Sequence, residues 1–140
     1  MEKRCRDCSR ICKWLDASDL PVKYTFEYLT PQQILALMQL AFRNHFVSSL
    51  KIDQIAASQG NQLALLLSSA TNLDDESLTI TFIAQSERGA NGCTELWFRY
   101  GVAEAMCRFP FILDEFQVMV LDVLETLYAN DTLLSASHGQ

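Results

Sequence analysis

The stretch that decides the fold is LTITFIAQSERGANGCTELWFRYGV, residues 78–102. Leu78, Ile80 and Phe82 alternate with Thr79, Thr81 and Ile83. Successive side chains of an extended chain point to opposite faces, so this alternation predicts a strand. Leu96, Phe98 and Tyr100 alternate with Glu95, Trp97 and Arg99 in the same way. Between the two runs, Arg88-Gly-Ala-Asn-Gly92 is turn chemistry, with glycines free to take positive φ. The reading is an antiparallel hairpin with one apolar face and one mixed face.

Upstream, Val22, Tyr24, Phe26 and Tyr28 alternate with Lys23, Thr25 and Glu27, which predicts a half-buried strand over 22–28. Thr30-Pro31-Gln32-Gln33 then starts a helix. Thr30 can cap it, Pro31 suits the first helical position, and Gln33 completes a capping box. Its apolar positions are Ile34, Leu37, Met38, Ala41, Phe42 and Phe46, with an end near 45–47. Residues 49–70 admit two readings. One is a hairpin with strands near 49–56 and 62–69 and a turn at Gln59-Gly60-Asn61; the other is a pair of short helices.

Downstream, Cys107, Phe109 and Phe111 suggest one more strand near 106–112, with Pro110 keeping it at an edge. Asp114 and Gln117 then form a second capping box. The helix they open is apolar at Phe116, Val118, Met119, Val120, Leu121, Val123, Leu124, Leu127 and Tyr128, which predicts burial over most of its circumference.

At the other end, Cys5, Cys8, Cys12 and Leu15 follow helical spacing, which predicts a short amphipathic helix over 3–15. The expected fold is α+β. A five- to six-stranded antiparallel meander carries an N-terminal short helix, a helix after the first strand and a long apolar C-terminal helix, with the helices packed on one face. Residues 1–20 read as a basic Cys-rich arm, 21–130 as one domain and 131–140 as a flexible tail.

The chain has 140 residues and a formal net charge of −6. That length suits one domain, and its 49% hydrophobic content excludes a disordered chain. The charge is unevenly placed. Residues 1–23 hold six basic and four acidic groups, net +2; residues 24–140 hold five basic and thirteen acidic, net −8. An acidic body is the wrong sign for specific nucleic-acid binding, which replaces counterions on phosphates. Residues 52–70 do scan superficially as helix-turn-helix, but 61–70 contain no Lys or Arg to meet bases or phosphates. No run approaches the ~18 apolar residues of a membrane-spanning helix. Residues 1–20 lack the apolar core of a secretory signal. Five cysteines, an odd number, suit free thiols in a reducing compartment, so the expected location is cytoplasmic.

Four constellations bear on function. Cys5-x2-Cys8-x3-Cys12 could offer thiolates to zinc or an iron–sulfur cluster, or act as a redox sensor beside Arg4, Arg6 and Arg10. A structural zinc site needs a fourth ligand, and the same spacing also makes a plain apolar helix face, so no metal or other cofactor is expected. Asp74-Asp75-Glu76 lacks the spaced pattern of a calcium loop. Catalysis is not expected, for the chain has no Gly-x-Ser-x-Gly elbow, no phosphate-cradling loop and only two histidines, His45 and His138. The fourth is the strand face Glu95, Trp97 and Arg99, since Trp and Arg are enriched at contact hot spots.

The leading expectation is a small acidic protein-binding module, such as an adaptor, inhibitor or immunity-type protein. It would contact a basic partner surface through Trp97, Arg99 and Glu95, and also form a homodimer. An alternative is a carrier, because a meander closed by a long apolar helix is also the order of helix-grip folds, in which a sheet wraps the last helix. Its cavity for a small apolar ligand would be lined by Phe82, Phe98, Tyr100, Phe109 and Phe111. The third reading is the metal or redox module at Cys5, Cys8 and Cys12.

Overall fold

The 78–102 hairpin forms as its alternation requires, and the rest of the chain is arranged around it. The elements run β1 (Ile11–Asp16), β2 (Tyr24–Phe26), α1 (Pro31–Asn44), β3 (Leu50–Ala57), β4 (Gln62–Ser69), β5 (Thr79–Arg88), β6 (Thr94–Ala103) and α2 (Pro110–His138). The computed structural model describes residues 11–16, 23–45, 49–57, 61–70, 78–103, 106 and 108–138.

The strands make one antiparallel sheet in the order β1-β6-β5-β4-β3. β2 pairs with the first part of β6, Tyr24 opposite Leu96, on the edge that β1 shares further along. Residues 49–70 are thus a hairpin rather than two helices, with Ile55 opposite Leu65 and a register shift between Ile52 and Gln54. At the β5–β6 turn, the Gly92 N–H donates to the Gly89 carbonyl at 3.2 Å, and Gly92 takes φ +87°, a conformation that favours glycine.

Burial follows the period of two. Leu63, Leu65, Leu67, Ile80, Phe82, Ala84, Leu96, Phe98 and Tyr100 are buried on one face, and both helices lie over it. Thr30 caps α1 with the full capping box, and Ile34, Met38 and Phe42 enter the core. Phe82 sits at the centre. Its ring centroid is 5.2 Å from Phe42 of α1, 5.2 Å from Phe98 of β6 and 6.0 Å from Phe116 of α2.

Several expectations from the sequence are corrected. Residues 11–15, expected at the end of a helix over 3–15, belong instead to β1, with Ile11 opposite Ala103 and Asp16 opposite Arg99. The β6 edge offers them unpaired backbone groups, and ladder pairing outweighs a short helical pattern. The remainder of the expected N-terminal helix lies outside the described residues.

Among the described residues of 106–112 there is no strand, and Cys107 lies outside them. Met106 and Arg108 lie in a tight turn, where the Phe109 N–H donates to the Met106 carbonyl at 2.9 Å. Pro110 opens α2, because its fixed φ suits a first helical turn and that position needs no donor. Asp114 is therefore inside the helix, not its cap. Ile112, Phe116, Met119, Val120, Val123, Leu124 and Leu127 are buried, whereas Phe111, Val118, Leu121 and Tyr128 are exposed. The burial is one-sided, narrower than the composition implies.

Finally, α2 runs through 131–138, where a flexible tail was expected. Asp131 accepts from the backbone N–H groups of Tyr28 (2.8 Å), Leu29 (3.0 Å) and Glu27 (3.2 Å). One carboxylate thereby satisfies three donors of the β2–α1 connection and fixes the far end of α2 to it. The Phe26 and Tyr128 rings stack at 4.4 Å beside this anchor. Burial pushes the Tyr128 phenol above the usual tyrosine value of 10.0, and the Tyr24 phenol likewise.

Two outcomes follow in denaturant unfolding. Phe82→Ala should cost about 3–5 kcal/mol, the usual range for emptying a fully buried aromatic site. Asp131→Ala should cost about 1.5–3 kcal/mol, the range for charge-assisted hydrogen bonds. A change near zero in either would contradict the packing described.

Candidate functional site

Two helices cover one face of the sheet, and no described element covers the other. That outer face is set by the same alternation that builds the core. β6 contributes Glu95, Trp97 and Arg99, β5 contributes Thr81, Ile83 and Gln85, and β4 contributes Ala64 and Leu66. Trp97 lies opposite Gln85, Arg99 opposite Ile83, Ile83 opposite Ala64, and Thr81 opposite Leu66. Trp97 and Ile83 are thus diagonal neighbours, about 7–8 Å apart by sheet geometry. With Ala64 and Leu66 they form a half-buried apolar strip across three strands. A flat apolar strip inside a polar border is the layout of a contact surface.

The three residues singled out from the sequence share this face. Glu95 is at one end, where its carboxylate pairs with Lys23 at 3.3 Å, and it stands directly opposite both Glu87 and Thr25. Glu87 in turn accepts from the Asn61 amide at 3.3 Å. That end sets the two carboxylates of Glu87 and Glu95 together, with Lys23 at its border. Arg99 is exposed at the other end.

The residues expected to line an internal cavity fall into two groups. Phe82, Phe98 and Tyr100 are buried, but they pack on one another and on Phe116, with the Tyr100 and Phe116 centroids 4.8 Å apart. Phe109 is partly buried at the core margin, its ring 6.3 Å from Phe111. Phe111 is 52% exposed on α2.

Sequence reasoning missed a different cleft, of about 480 Å³, between the β3 edge and the end of α1. Phe42, Ile52, Ile55, Leu67 and Met119 give it apolar walls; Arg43, Lys51 and Asp53 stand at its mouth. Beside it, the His45 Nε2 lies 3.0 Å from Asp122 and ties the end of α1 to α2, a structural role for that histidine. The cleft joins residues from four elements, so no local spacing announces it.

Cys5, Cys8 and Asp74-Asp75-Glu76 lie outside the described residues, and Cys12 falls within β1. Among the described residues, no group of three or more His, Cys, Asp and Glu is gathered for a metal ion. Among them, too, no helix is long and apolar enough to cross a membrane.

Comparison with models of protein families, with curated proteins and with solved structures finds no match to this chain.

Proposed function

We propose that this chain is a protein-binding module whose contact surface is the outer face of the sheet, centred on Trp97. The observation that carries the reading is that no described element covers the outer face, where Trp97, Ile83 and Leu66 lie half-buried in one strip. Large apolar side chains on an uncovered sheet face are stabilised by a partner that removes them from water. The acidic end at Glu87 and Glu95, and the net charge of −6, favour a partner with a basic surface, because complementary potentials speed encounter and select partners. A second copy of the chain also fits the apolar strip, but two chains of net charge −6 repel one another, so self-association ranks below a basic partner. The same reading places the protein in the cytoplasm, in keeping with its odd number of cysteines.

The test is a pair of measurements on the full chain. Trp97→Ala should unfold within about 1 kcal/mol of the native chain, as a surface substitution does. Benzoylphenylalanine placed at 97 or 83 should photo-crosslink to one discrete protein in the producing cell, and placed at the exposed Thr132 should not. Unfolding of Trp97→Ala would make Trp97 a core residue and overturn the reading; so would the absence of any adduct specific to the face.

The cleft supports a second reading, carriage of a small apolar ligand. Its volume of about 480 Å³ falls in the range of small-molecule sites, and its walls are apolar. Parinaric acid, a fluorescent fatty acid, should then bind, and Ile55→Asp should abolish the binding. No fluorescence enhancement with the native chain, or an unchanged response in Ile55→Asp, would retire this reading.

A further inference from the structure

Away from the sheet, the outer surface of the helix layer carries a furrow. α1 and α2 run antiparallel, His45 at the end of α1 meeting Asp122, and the residues before α1 meeting Asp131. Between the helices lie two apolar hollows of about 300 and 380 Å³. Leu37 lines both, so they are parts of one furrow. On α1 the lining follows one helical stripe, Gln33, Leu37, Leu40 or Ala41, and Asn44. On α2 it follows Asp122, Thr126, Asn130 and Leu133 or Leu134 in the same way. From Asp122 to Leu134 the furrow is about 18 Å long, roughly three turns of helix. Ala36, Ala41 and Thr126 are too small to fill it. Two leucines within it, Leu40 and Leu133, are 56% and 68% exposed.

Among the described residues, α2 brings charge of one sign to the furrow. α2 holds Asp114, Glu115, Asp122, Glu125 and Asp131 and no Lys or Arg. The only charged residue of α1 is Arg43, which lies toward the β3 cleft and does not line the furrow. Some of these carboxylates have partners already: Asp131 holds backbone N–H groups, Glu115 accepts from Ser49, and Asp122 pairs with His45. Asp114 and Glu125 stand exposed on the outer side of α2.

We propose that this furrow seats an amphipathic helix of a partner protein, with leucine-like side chains along one stripe and Lys or Arg beside it. Apolar anchors at i, i+3, i+4 and i+7 would fill the two hollows and cover Leu40 and Leu133, the helix-in-groove mode of recognition. The flanking cations would face the carboxylates of α2. A second copy of this chain is disfavoured, because it would bring α2 against an equally acidic helix.

The test uses the full chain and a fluorescein-labelled synthetic peptide of Leu and Lys, leucines at helical spacing over three turns, read by fluorescence anisotropy. The native chain should bind it, more weakly at high salt. Leu40→Glu and Leu133→Glu should each weaken binding at least tenfold. Both positions are exposed, so the variants should keep native circular dichroism. Each variant adds a negative charge, so attraction by charge alone would tighten binding instead. Trp97→Ala should bind as the native chain does, which separates this site from the sheet face. Four results would overturn the proposal: no binding; equal binding by the glutamate variants; equal binding of a peptide with Glu in place of Lys; or a dimer of the free chain that Leu133→Glu dissociates, which would assign the furrow to a second copy.

Discussion

The Phe82 ring is where the molecule meets. It lies on a central strand, and rings from α1, β6 and α2 close on it from three directions. Burying one face of an extended strand commits the other face to the opposite side of the sheet. The chain has two helices among its described residues, and both are needed to cover Phe82 and its neighbours. Among the described residues, the outer face therefore lacks a helix as a direct consequence of how the core is built. Trp97, one residue from Phe98 in sequence, is on the open side because Phe98 is on the closed one.

The second consequence concerns α2. It is apolar on more of its surface than the core can use. Phe116 and Met119 pack inward, while Val118 and Leu121 face out. Near its ends, polar contacts add to burial: Glu115 accepts from Ser49 near the start, and Asp131 holds three backbone donors near the end. These contacts set where α2 lies against α1. Small residues along the line between them leave the furrow. The carboxylates that orient the helix also make it uniformly acidic, so structure and surface chemistry come from the same residues.

Much of this was legible in the sequence. The alternation in 78–102 fixes which side chains enter the core, and Thr30-Pro31-Gln32-Gln33 marks a helix start from purely local chemistry. Glu95, Trp97 and Arg99 share a face for the same local reason. The failures were non-local or ambiguous. Residues 11–16 become a strand because β6 presents an edge, which no window around Ile11 contains. Cys107, Phe109 and Phe111 alternate, but Pro110 suits a helix start equally well. The spacing Ile112, Phe116, Met119, Val123 already runs at helical period and was the better guide. Asp131 looked like part of a polar tail, yet its partners are about a hundred residues away in sequence. The β3 cleft and the furrow come from residues brought together only by folding. Leu40, opposite the Ile34–Met38–Phe42 stripe of α1, was the one local hint that a second apolar surface existed.

The central claim is that the two described helices dress one face of the sheet and no described element covers the other. Hydroxyl-radical footprinting read residue by residue by mass spectrometry tests it most directly. The account predicts alternation along β5 and β6, with Ile83 and Trp97 oxidised readily and Phe82 and Phe98 protected. Equal protection of Trp97 and Phe98 would contradict it.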